Sequence, residues 1–182
     1  MNPPAPSRCD HLRQMAAYNR WMNEKIYAAA ATLPPDEVLA DRGAFFGSIH
    51  ATLSHIAVAD TIWLQRFAAH PANYAALEPL MGVPIQRDLA AQPFGDLAAL
   101  TSHRRFLDGV IEAWAQDVSE DDLDHALAYL NTRGEAFRKP YFFLAMHFFN
   151  HHTHHRGQVT TLLTQAGVNV GSTDLSSLID EV

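Results

Sequence analysis

The chain has 182 residues, of which 48% are hydrophobic and 18% charged, with 13 Lys and Arg against 20 Asp and Glu for a formal net charge of −7. That length suits one domain with a real core, and the apolar content excludes a disordered chain. An acidic chain without a Lys/Arg cluster lacks the electrostatic footprint for nucleic acid or an anionic membrane. The single cysteine, Cys9, excludes both an internal disulfide and an all-cysteine zinc site. The opening Met1-Asn2-Pro3-Pro4 is unlike a secretory leader, and no apolar run approaches ~18 residues, so a soluble, cytoplasmic protein is expected. The outlying count is 11 histidines; protonating all of them would turn −7 into +4.

Taken in chain order, Leu12, Met15, Asn19, Met22, Ile26, Ala29 and Leu33 form one face of a first helix, stopped by Pro34-Pro35. A second stripe runs Phe45, Ser48, Thr52, His55, Ala59, Ile62, Arg66 and ends near His70-Pro71. From there to about Pro93, four prolines and one glycine mark a long connection. A third helix is expected from Asp96, a candidate N-cap, through Leu100, Arg104, Leu107, Ile111 and Trp114. Ala126–Leu130 and Glu135–Arg138 flank Asn131-Thr132-Arg133-Gly134, the pattern of a small β-hairpin. The last helix runs from about Tyr141 to Ala166 and closes at Gly167; an extended tail and a short turn at 174–180 follow. The expected fold is therefore all-α: one four-helix-bundle domain over residues 1–182, with long connections that permit up-up-down-down topology, and a hairpin before the last helix.

One core-phase position in each helix is polar: Asn19, His55, Arg104, and His151 or a neighbour. Buried polar groups without partners cost roughly 1–3 kcal/mol each, so such a layer implies mutual contacts, water or a metal. The last helix holds five histidines in nine residues, at 147, 151, 152, 154 and 155. At about 100° per residue, His151 and His155 share a face one turn apart, as do His147 and His151. His154 lies about 60° from that face and His152 about 100° away. Periodicity leaves the choice between the two pairs open. Either pair needs a third donor from another helix, and His55 is the natural one. Three imidazoles with an open position describe a catalytic-type metal site.

Two stretches resemble the DinB/YfiT-like family (not the DNA polymerase that shares the name). Residues Asn150–Gln158 carry N-H-x-x-x-H-R-G-Q, and residues His55–Arg66 carry H-x-x-x-x-D-x-x-W-x-x-R; Tyr18-Asn19-Arg20-Trp21 is also similar. The resemblance spans nearly the whole chain. It implies an up-up-down-down four-helix bundle, often a homodimer, binding one divalent metal ion per chain through His55, His151 and His155. Zinc and nickel are the ions most expected. Some relatives are transferases or isomerases that use a low-molecular-weight thiol as cosubstrate. The mycothiol-dependent maleylpyruvate isomerase branch commonly has Glu where this chain has His151, a departure that argues against that activity.

The function expected is that of a metal-dependent enzyme acting on a small-molecule substrate, of thiol-transferase or hydrolase type. The alternatives are a non-catalytic metal-binding or stress-response helical dimer, and a metal-free dimer with a pH-sensitive histidine cluster. Gln158, one turn beyond His155, is a candidate to support a ligand, as are Asn19 and Arg104. Asp60 either orients an imidazole or pairs with Arg66, the second being favoured. Arg156 is expected to pack or pair structurally. Tyr18, Trp21 and Trp63 are candidate cavity walls, although aromatics at helical spacing are usually core. His50, His103 and His125 are expected on the surface, and Cys9 in a frayed N-terminus.

Overall fold

The computed structural model describes residues 5–84, 86 and 88–181. The opening Met1–Pro4 read above lies outside the described residues. Six α-helices are described: α1 Arg8–Ala30, α2 Pro35–Leu39, α3 Ile49–Phe67, α4 Leu97–Asp117, α5 Glu120–Leu123 and α6 Tyr141–Gln165. Strands β1 (Ala126–Leu130) and β2 (Ala136–Pro140) form a two-stranded antiparallel sheet, with Tyr129 opposite Phe137. The molecule is thus mostly helical, with the small hairpin where the turn residues place it. Gly134 sits at φ +82°, a conformation that favours glycine.

Local chemistry sets the helix limits. α1 begins one residue after Ser7, which forms a reciprocal capping box with Asp10. It ends at Ala30, short of the double proline; Pro35 then opens the five-residue helix α2. Proline at a helix start forfeits no hydrogen bond, so the pair that stops one helix begins another. α3 starts at Ile49 rather than near Phe45, because Gly47 turns the chain at φ +82° and Ser48 caps the helix. Asp96 caps α4 as its position suggested. Gly167, at φ +80°, follows α6, and the Val168 amide donates back to the Leu163 carbonyl.

α1 packs against α4 and α6, and α3 packs against α6 and α4. Between them lies an aromatic core: Trp114 stacks on Phe67 at 5.1 Å and donates its indole N–H to the Tyr141 hydroxyl at 2.8 Å. Phe148 packs edge-on to both Phe67 and Trp114. Among the described residues no helix is long and apolar enough to cross a membrane.

Cys9 is not in a frayed end. The Ser7 cap extends α1 past it, its side chain is buried, and its thiol donates to the Val118 carbonyl at 3.3 Å. His50 is also buried, with Nδ1 3.1 Å from Gln92 Oε1, and His103 is half-buried against Phe94. Only His125 of those three is exposed. α3 is buried along almost its whole length, so its flanking positions are interior too.

Candidate metal centre

His55 from the middle of α3 meets His151 and His155 from successive turns of α6. His55 Nε2 lies 3.2 Å from Nε2 of each of the other two rings. One nitrogen from each ring falls within 4.8 Å of the others, so the three could hold a metal ion. His147, the alternative on the same helix face, packs edge-on to Trp63 at 5.0 Å and is outside this group.

The second nitrogens explain the orientation. His55 Nδ1 donates to the Leu89 carbonyl at 2.8 Å, and His155 Nδ1 donates to Gln158 Oε1 at 2.8 Å. Each bond places the ring proton on Nδ1 and leaves an Nε2 lone pair pointing inward. Two such lone pairs at 3.2 Å repel unless a cation lies between them. A tetrahedral ion with metal–nitrogen bonds of about 2.0–2.1 Å sets its ligand nitrogens about 3.3 Å apart, close to the spacing found. Burial lowers all three basicities: it pulls His151 down to about 3, with His155 adding to the effect, and it lowers His55 and His155 as well. The rings are therefore neutral at neutral pH, the state a metal ligand requires. The donor set fits a divalent ion.

Phe46, in the loop before α3, stacks on His55 at 4.0 Å and meets His155 edge-on at 5.7 Å. On another side a cavity of about 250 Å³ opens, lined by His55, His151, His147, Trp63, Arg66 and Thr132 among others. Gln158 links His155 to His154, whose Nε2 is 3.3 Å away.

The polar layer expected from the stripes exists, but most of it is separate from the triad. Asp60 pairs with Arg104 and lies 2.6 Å from His152 Nε2, while His152 Nδ1 donates to the Phe148 carbonyl. Arg104 also reaches Asp108 at 3.1 Å. Asn19 and Asn23 donate to Asp108, and Asn19 accepts from Arg156, which stacks over Tyr18. Asp60, Arg104, His152, Asn19 and Arg156 are all buried. Burial alone would raise the Asp60 carboxyl; His152 and Arg104 outweigh it and hold that carboxyl well below the usual range.

Asp60 thus does not pair with Arg66. Six residues apart on a helix is about 120° away from the same face, and Asp60 turns into the core. Arg66 instead lies over Trp63 at 4.5 Å and Tyr129 at 5.1 Å. Tyr18 does not line the triad cavity; its hydroxyl donates to the Thr173 carbonyl at 2.6 Å, and Trp21 packs beside it under Lys25. Phe46 and Leu89 were not foreseen, because loop residues carry no periodic signal. The Gly47-Ser48 pair that fixes the loop was the one local clue.

These features define a class: a helical protein in which three converging imidazoles beside a small cavity could hold a metal ion. The chain belongs to the DinB family, whose model matches residues 9–181. It is similar to Protein DinB of Bacillus subtilis (strain 168), 26% identical over 167 residues that cover 91% of each chain. No solved structure matches it.

Proposed function

We propose that His55, His151 and His155 hold one divalent metal ion and that the chain is a metal-dependent enzyme for a small molecule, of thiol-transferase or hydrolase type. The observation that carries this reading is the convergence of three ring nitrogens, two of them with lone pairs fixed inward by Nδ1 hydrogen bonds, beside a cavity of small-molecule size. Imidazole donors suit zinc, nickel, copper or iron, with zinc and nickel foremost here. A divalent ion with three histidines and an open position lowers the pKa of a bound water or thiol and polarises carbonyls.

The chain's own groups supply the rest. Leu89 and Gln158 hold two rings in their tautomers, Phe46 shields His55 from solvent, and Trp63 and His147 wall the approach. A cavity of about 250 Å³ admits a low-molecular-weight thiol or an ester, not a macromolecule. The pairing of α1 and α3 each with both α4 and α6 supports a four-helix bundle with long connections as the scaffold. A single domain, working as a cytoplasmic homodimer on a soluble substrate, completes the proposal.

The test is turnover by zinc-loaded protein with a panel of low-molecular-weight thiols plus 1-chloro-2,4-dinitrobenzene, and with 4-nitrophenyl acetate, each with and without EDTA. Chelator-sensitive turnover of either kind is expected. Chelator-insensitive turnover, or none at all, overturns the enzyme and favours a non-catalytic metal-binding protein.

A further inference from the structure

Arg66 stands out once the site is built. It is half-buried near the end of α3, its guanidinium stacked on Trp63 and Tyr129. Among the described residues no carboxylate lies within ion-pair distance of it, although the chain carries 20 acidic residues. Stacking occupies the faces of a guanidinium and leaves its N–H edges free for a planar anion. A cation drawn partly out of water without a counter-charge costs free energy that a ligand can return.

Its position is equally specific. Arg66 lines the triad cavity, and it also lines a second cavity of about 390 Å³ beneath the hairpin. Ile62, Asn131 and Thr132 are common to both walls, so the two spaces meet at Arg66. Among the described residues no Asp or Glu lines either one. In a chain of net charge −7 that is a marked local reversal of sign.

We propose that the small molecule received beside the three histidines is an organic carboxylate, with its carboxylate on the N–H edge of Arg66 and its apolar body along Ile62 and Trp63 in the triad cavity. One guanidinium fork among aromatic walls matches a carboxylate better than a phosphate dianion, which would call for more cations. This deepens the metal-centre reading and rests on it for the position of the reacting group. Arg66 is then the residue that selects for charge.

The probes are 3-phenylpropionate and its neutral counterpart 3-phenylpropan-1-ol, titrated calorimetrically into full-length protein, zinc-loaded and zinc-free, as wild type, Arg66→Gln and Arg66→Met. Wild type is expected to bind the carboxylate about tenfold more tightly than the alcohol in both forms. Both variants are expected to lose that preference while melting cooperatively and keeping the zinc content of wild type. A wild type without the preference, or variants that keep it, overturns the proposal. If neither variant folds, the Arg66 Nε–Hε resonance of ¹⁵N-labelled wild type decides: it shifts with the carboxylate and not with the alcohol, and an unmoved resonance overturns the assignment. Failure of wild type to bind zinc contradicts the metal centre alone, because the preference is read in zinc-free protein as well.

Discussion

Replacing Asp60 by Asn tests how the buried polar layer is held. Asp60 is 1% exposed, and the side chains around it, Arg104 at 2% and His152 at 0%, are equally dry. Asn keeps the volume but removes the charge that faces Arg104, and its amide puts an N–H where the carboxylate had an acceptor. Breaking a buried ion pair by removing one partner costs about 3–5 kcal/mol; Asp108 remains 3.1 Å from Arg104, which places the loss near the low end, about 3 kcal/mol. At about 2–4 °C per kcal/mol for a chain of this size, the melting temperature should fall by about 6–12 °C at pH 7. The acid branch has a defined sign. Asp60 is held below its ordinary value, so its contribution is complete above about pH 4 and is lost as the pH falls through the depressed folded value. The gap between wild type and Asp60→Asn, followed by thermal melts monitored by circular dichroism, should therefore narrow as the pH drops below about 4. A shift at pH 7 below about 2 °C, or a gap that widens in acid, would refute the reasoning.

Three other outcomes follow from the same contacts. Gln158→Ala frees the His155 ring and should weaken zinc binding by about 10–100-fold with the helical signal intact; unchanged affinity in a competition titration would show that Gln158 does not orient the ring. The Cys9 thiol is pushed up to about 11 by burial, with Glu120 adding to it, so iodoacetamide at pH 8 should label it far more slowly in native protein than in urea. Equal labelling rates by mass spectrometry would place Cys9 at the surface. Trp114→Ala empties the centre of the aromatic core and orphans the Tyr141 hydroxyl, a loss of about 3–5 kcal/mol by urea unfolding; a loss under about 1 kcal/mol would mean the core is not packed as described.

What could be read from the chain was what is encoded locally. The middle of each stripe, the Asp96 cap, the Asn131–Gly134 turn and the Gly167 stop each depend on a few neighbouring residues, and the structure reproduces them, while the stripe ends at Leu33 and Phe45 fall outside α1 and α3. The Ser7–Asp10 capping box is equally local, and it holds Cys9 inside α1 rather than in the frayed end expected for it. For the three histidines, helical spacing narrows the α6 donors to two pairs, His147 with His151 or His151 with His155, and points to His55 as the interior mid-helix donor from another helix; the family resemblance is what selects His151 with His155. Partners chosen across helices were a different matter. Asp60 could be matched with Arg66 along the chain, but its real partners, Arg104 and His152, come from α4 and α6, and no periodicity of α3 reveals them. Phe46 and Leu89 reach His55 from loops whose course depends on tertiary packing.

The central claim is that three imidazoles form one metal centre. The direct measurement is elemental analysis by inductively coupled plasma mass spectrometry of protein purified without a metal-affinity resin, as wild type and as His55→Ala. About one divalent ion per chain is predicted for wild type, and almost none for the variant, because two histidines from one helix hold an ion far less firmly than three. A variant that folds and retains the full metal content would contradict the account.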